Sequence, residues 1–260
     1  MTEPGPTYSS YLRIAELLAL QSPSAARVHD ERLFITVHQV QELWFAQLLT
    51  ELADARDLML DGEPRRARLR LARCLEIDRA LIAGLRPLHT MPPREFHAFR
   101  GHLGTASGAQ SAQYREIESL SGAAWARSDR LPTGLGAAER ERLRRRHAEP
   151  TLWDGFLTLL GKAGFDMATR ESRRTAFAHL AAHPDDLPEL TQLAETLLDH
   201  DTIWAEWRAA HTLLVERQIG ALPGSGGSTG ATHLRAGMHR RFFPELWDPG
   251  TPDPLTATPH

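Results

Sequence analysis

Two stretches, Leu33 to Leu58 and Leu187 to Ile219, keep apolar side chains at three- and four-residue spacing with no break. That spacing puts them on one helix face, so each stretch predicts a long amphipathic helix that must bury its face against other helices. The first carries Leu33, Phe34, Val37, His38, Trp44, Leu48, Leu52 and Leu58 and ends at Asp61-Gly62-Glu63-Pro64. The second carries Leu190, Leu197, Trp204, Trp207, His211 and Leu214 and is stopped by Gly220 and Pro223. Shorter helical patterns cover Tyr11 to Leu18, Arg66 to Leu85, a segment after Met91-Pro92-Pro93, and Gln110 to Leu120. Val, Ile and Thr form no alternating blocks, and no Asn-Gly or Asp-Gly turn joins two such blocks. The expected fold is all-α.

Gly101 to Gly108 reads as a small-residue loop, and Ser121 to Pro150 is weakly patterned. Its arginine-rich run, Arg140 to Arg146, is expected to be a solvated helix face. No repeat or linker divides the chain, so residues 1–260 are expected to form a single domain.

Composition narrows the chemistry. Thirty basic against 33 acidic residues leave a net charge of −3, without the concentrated positive field that nucleic acid needs. No stretch approaches the roughly 20 apolar residues required to cross a bilayer, and Met1 to Ser10 lack the basic start and apolar core of a signal peptide. Neither nucleic acid nor membrane is an expected partner. One cysteine, Cys74, can form no internal disulfide or Cys-rich metal centre, which points to a reduced, cytoplasmic setting. Thirteen histidines therefore supply the soft ligands.

Three places combine polar chemistry with positions on buried faces. Phe34 and His38 project from one helix face, as a ligand-binding pair or as a hydrogen-bonded core histidine. Phe96 and Arg100 repeat that spacing; an inward Arg100 requires a carboxylate, whereas an outward one snorkels to solvent. His211 shares a face with Trp204 and Trp207, where a neutral imidazole suits the proximal side of a haem iron or, alternatively, an aromatic core. The glycine-rich run Gly224 to Gly230 lacks the context of a phosphate loop. His147, His183 and His260 have no assigned role.

At these residues the chain resembles a known family. Leu33-Phe34-Ile35 with His38-Gln39 and Glu42-Leu43-Trp44, preceded by Tyr8-Ser9-Ser10-Tyr11-Leu12, is similar to the signature of tryptophan 2,3-dioxygenases. Further matching stretches are Phe96 to Arg100, Leu103 to Gly108, Gln110-Ser111, and Gln113-Tyr114-Arg115. Val215-Glu216-Arg217, Gly220, Gly226-Gly227-Ser228 and Phe242-Phe243-Pro244-Glu245-Leu246-Trp247 complete the order, so the resemblance runs from Tyr8 to Trp247.

The resemblance implies a haem b enzyme that uses O2 to open the indole C2–C3 bond of L-tryptophan, giving N-formylkynurenine. It implies His211 as proximal iron ligand, with Trp207, Ser107 and Gly108 also against the haem, and His38 as the distal histidine that meets the indole N–H. It further implies Phe34 and Phe96 as pocket walls, Arg100 as the carboxylate clamp, and Ser107, Gly108 and Ser225 as substrate contacts. Tyr8 and Tyr11 would reach into a neighbouring subunit's site from an N-terminal segment, residues 1–22, of a homotetramer; residues 248–260 would be a C-terminal tail. The sequence departs from the family pattern at Ala109, where phenylalanine is usual, at Ser225, where threonine is usual, around His38 at Val37, Val40 and Gln41, and at Phe96, where bacterial members commonly carry tyrosine. These departures keep open a divergent haem oxygenase, a monooxygenase included, acting on a substituted tryptophan or a tyrosine. A haem gas sensor or carrier is the reading from outside enzymes.

Overall fold

The computed structural model describes residues 5–24, 28–127, 131 and 133–248. Twelve α-helices are present among them: α1 (Tyr8–Tyr11), α2 (Ile14–Ala19), α3 (His29–Asp61), α4 (Pro64–Leu85), α5 (Pro93–Arg100), α6 (Ala112–Ser121), α7 (Ala137–Ala148), α8 (Leu152–Lys162), α9 (Arg170–Ala182), α10 (Pro188–Ile219), α11 (Ala231–Gly237) and α12 (Pro244–Trp247). The described residues contain no strand, as the sequence predicts.

The two long periodic stretches are α3, of 33 residues, and α10, of 32 residues. Each is about 50 Å long at the α-helical rise. Gly62 ends α3 in the left-handed conformation (φ 90°), and the Glu63 N–H turns back to the Leu58 carbonyl. Pro64 then opens α4, so the two helices lie antiparallel across a two-residue turn. The chain's single lysine, Lys162, donates from Nζ to the Leu60 carbonyl at 2.6 Å and satisfies the exposed end of α3. Lys162 ends α8, which approaches α3 so closely that a Cβ on Gly155 would lie 3.0 Å from Met59 Cβ and 3.3 Å from the Arg56 carbonyl.

One core joins these helices. Leu48, Leu52 and Met59 of α3, Leu71 and Leu81 of α4, Phe156 of α8, and Leu197 and Trp204 of α10 are fully buried in it. The Phe242–Trp247 stretch is drawn onto α10 by one buried carboxylate. Asp201 accepts the Phe242 N–H at 3.0 Å, the Phe243 N–H at 3.4 Å and Trp247 Nε1–H at 2.9 Å. Phe242 and Phe243 are thereby held inside the core, although they lie in a loop.

Some sequence expectations change. The weakly patterned region contains α7, and α8 and α9 follow it. The arginine run is not wholly solvated: Leu143 is buried, Arg142 pairs with buried Glu116 at 2.9 Å, and Arg146 shares Glu149 with Arg56. The expected loop from Gly101 to Gly108 starts with a 3-10 turn, Gly101–Leu103, and a second turn, Gly108–Gln110, follows it. Helices α1 and α2 bury none of their residues. Of the expected N-terminal segment, residues 1–4 lie outside the described residues, and so do residues 249–260 of the tail.

Replacing Asp201 by Ala strands two buried backbone donors, those of Phe242 and Phe243, and frees the half-exposed Trp247 indole. Asp201→Ala is expected to lower stability by about 2 kcal/mol or more in urea denaturation.

Candidate active site

Helices α3, α5 and α10, the loop before α6 and the glycine-rich segment after α10 enclose one large cavity. It holds about 1780 Å³ of atom-free space, part of it open to solvent. Phe34, His38, Phe96, Arg100, Ser107, Gly108, Trp207, His211 and Ser225, nine of the residues singled out in the sequence, all line it. Tyr8 and Tyr11 do not; they sit on α1 at 78% and 76% exposure, away from this chain's own cavity.

On α3, the His38 ring lies 4.0 Å from that of Phe34, which also meets Phe99 at 5.3 Å and Phe96 at 5.9 Å. His38 Nδ1 is 2.8 Å from the Phe34 carbonyl. A carbonyl can only accept, so Nδ1 carries the proton. Burial pushes the His38 pKa down, which keeps the ring neutral at pH 7 and leaves Nε2 as an acceptor.

On α10, His211 lies parallel to Trp207, with centroids 5.1 Å apart and planes 8° apart. Among the described residues its ring makes no hydrogen bond. Burial, and secondarily the neighbouring His38, push its pKa down to about 4. His211 is thus a neutral donor nitrogen on a rigid helix. Trp207 is fixed in turn by Gln41, whose Oε1 accepts Trp207 Nε1–H at 3.1 Å while its Nε2 donates to the Leu81 carbonyl at 2.9 Å.

The other wall is made of loops. Ser225 Oγ donates to the Ala106 carbonyl, and a Cβ on Gly226 would lie 2.7 Å from Ser107 Cβ, so the glycine-rich segment closes directly on the loop before α6. Arg100 donates to the Pro223 carbonyl and has no carboxylate partner among the described residues. It is half-buried on the cavity wall, not displayed on the outer surface. A polar ligand at this wall meets an uncompensated positive charge.

The sequence reading missed Arg208, one helical turn before His211. It is 5% exposed, and its Nη2 donates to the Arg240 carbonyl. Its Nε and Nη1 have no protein acceptor, and burial lowers its pKa. The available signal was an arginine within the apolar face formed by Trp204, Trp207 and His211. Gln41 and Tyr114 were also missed: both line the cavity, and Tyr114 stacks on Trp204 at 5.8 Å with its phenol pKa pushed up by burial.

The residues present fit an iron porphyrin. They offer broad aromatic walls, one neutral imidazole free to ligate, and a buried guanidinium with two orphaned N–H groups suited to an acidic side group. His211 could hold an iron, and Trp207, Arg208, Ser107 and Gly108 line the same cavity.

The depressed His211 pKa has a defined pH consequence. Below its ordinary value of 6.5 the unfolded chain takes up a proton that folded His211 refuses until about pH 4. The ligand-free protein is therefore expected to lose stability as pH falls through that interval. His211→Phe should flatten the loss in urea titrations at pH 7, 6 and 5.

Comparison with known proteins gives the family. The family model described as tryptophan 2,3-dioxygenase matches residues 1–168 and 176–251. A tryptophan 2,3-dioxygenase of Nocardioides sp. is 45% identical over 247 residues, covering 93% of this chain and 92% of that protein. One from Herpetosiphon aurantiacus is 42% identical over 252 residues (93% and 96%), and one from Anaeromyxobacter dehalogenans is 40% identical over 256 residues (93% and 94%). The chain belongs to the tryptophan 2,3-dioxygenase family.

Proposed function

We propose that this protein is a haem b-dependent oxygenase that adds both atoms of O2 across the indole C2–C3 bond of L-tryptophan, forming N-formylkynurenine. The observation that carries the reading is one cavity lined by two neutral imidazoles, from α3 and α10, and by an unpaired guanidinium from α5. When bound, haem supplies the iron that activates O2. The protein's own part is to bind, orient and exclude water.

The carboxylate, the indole ring and the indole N–H of tryptophan each have a matching residue. The α-carboxylate is the charge that Arg100 lacks, and a planar guanidinium suits it in two-point contact. The indole ring fits against Phe34 and Phe96, which line the cavity and are backed by the fully buried Phe99 at 5.3–5.4 Å. The indole N–H is a donor, and His38 Nε2 is an acceptor because Nδ1 is committed to the Phe34 carbonyl. That contact fixes the ring's orientation without removing a proton. Ser107, Gly108 and Ser225 lie where the two loops close over the cavity and would screen the reacting carbons from water. Trp207, stacked on His211 and hydrogen-bonded to Gln41, restricts rotation of the iron ligand.

The working form is a homotetramer in the cytoplasm, with residues 1–260 acting as one domain. Support for assembly comes from α1 and α2, which bury nothing and expose Tyr8, Tyr11, Leu12, Leu18 and Leu20. Tyr8 and Tyr11 then complete a neighbouring subunit's cavity. The buried free thiol of Cys74 suits a reducing compartment, and no helix among the described residues is long and apolar enough to cross a membrane.

Turnover of L-tryptophan under 18O2 should give a product carrying two labels by mass spectrometry. A single label would replace this reading with a monooxygenase, and haem binding without turnover of any aromatic amino acid would replace it with a sensor or carrier. His211→Ala should abolish stable haem retention, read from the Soret band. Arg100→Ala should weaken tryptophan binding by ~1.5–3 kcal/mol, the range for charge-assisted hydrogen bonds, with haem content unchanged.

A further inference from the structure

His183 has no part in the cavity, nor do His179 and Asp186. The three side chains meet at the C-terminal end of α9, and their donor atoms all lie within 4.8 Å of one another. His179 Nε2 is 3.4 Å from Asp186 Oδ2, and the two imidazole rings lie face to face at 4.8 Å, tilted by 29°. Among the described residues this is the one group of three or more histidine, cysteine or acidic side chains with that spacing.

We propose that His179, His183 and Asp186 form a divalent-metal site of the zinc class that pins the end of α9 to the turn leading into α10. The donor set comes first. Two imidazoles and one carboxylate are borderline ligands that suit zinc, nickel or copper in preference to calcium or magnesium. Geometry supports the same class. Bonds of 2.0–2.1 Å in a tetrahedron imply a ligand-to-ligand edge of roughly 3.3 Å, which the His179–Asp186 pair matches. The third ligand needs only rotation of the exposed His183 ring.

The backbone places all three. His179 lies in the last turn of α9 and His183 caps that helix, its N–H donating to the His179 carbonyl at 2.9 Å. The Asp186 N–H donates to the His183 carbonyl at 3.2 Å, and that turn brings the carboxylate back under the helix end. The carbonyl end of a helix favours a cation. Phe165 packs on the inner side of His179 at 5.4 Å and limits the directions its ring can take. Asp186 and His183 are exposed, so water completes the coordination shell.

The site shares no residue with the cavity, and only the sample used in its test, haem-loaded protein, rests on the oxygenase reading. Its test uses untagged, haem-loaded protein, in which His211 is occupied, stripped with EDTA and titrated with Zn2+ by calorimetry in a non-chelating buffer. One zinc per chain is expected, with a rise in unfolding temperature on zinc addition. His183→Ala and His179→Ala should each abolish both signals while the Soret band stays unchanged, and Asp186→Asn should weaken binding. Absence of zinc uptake at millimolar concentration would overturn the proposal, as would uptake that persists in His183→Ala, and the cluster would then be a helix cap only.

Discussion

The structure depends on keeping one face of α10 packed along its whole length. His200, Trp204, Trp207 and His211 follow one another on that face, with ring centroids 6.1, 5.6 and 5.1 Å apart. At the inner end, His200 is completely buried and held by Asp78 (Nδ1 to Oδ2, 2.6 Å) and by Ser121 (Nε2 to Oγ, 3.3 Å). A polar group this deep persists because its bonding capacity is met by α4 and α6. At the other end the column opens onto the cavity at His211. Any break in the helix would rotate His211 away from that opening, so the core interactions at His200, Trp204 and Gln41 are also what position the site.

The electrostatics of the cavity follow from what is paired elsewhere. Arg56, Arg115, Arg142, Arg146 and Arg173 all find carboxylates within the chain. Among the described residues Arg100, Arg208 and Arg240 form no ion pair with a carboxylate, and all three line the cavity. Neutral imidazoles and guanidinium groups without an ion-pair partner suit ligands that bring their own carboxylates, as an iron porphyrin and an amino acid both do. With a net charge of −3, the protein as a whole provides little long-range attraction, so selection rests on these local contacts.

The helices were legible because their apolar spacing is local. Leu33 to Leu58 and Leu187 to Ile219 became α3 and α10, with Gly62 and Gly220 at their ends. Of α7 only the arginine run was read, as a solvated helix face, and α8 and α9 were not read from the pattern. In α7 the apolar face is reduced to Leu143, and a charged run with one buried residue has no clear period. The cavity residues carried by resemblance, from Phe34 to Ser225, line one cavity; Arg208 did not show itself, and Gln41 showed only as a departure beside His38, because their importance lies in contacts with distant segments.

The sequence by itself determined which segments are helical, which faces are apolar, and that histidine had to supply the soft ligands, since these depend on residue type and spacing along one segment. Only the tertiary structure decided that Nε2 of His38 is the free acceptor, that Arg100 and Arg208 lack carboxylate partners, and that His179, His183 and Asp186 converge at the end of α9. Each of these depends on where other groups come to rest, through desolvation and pairing, and neither is encoded in the spacing of a single helix.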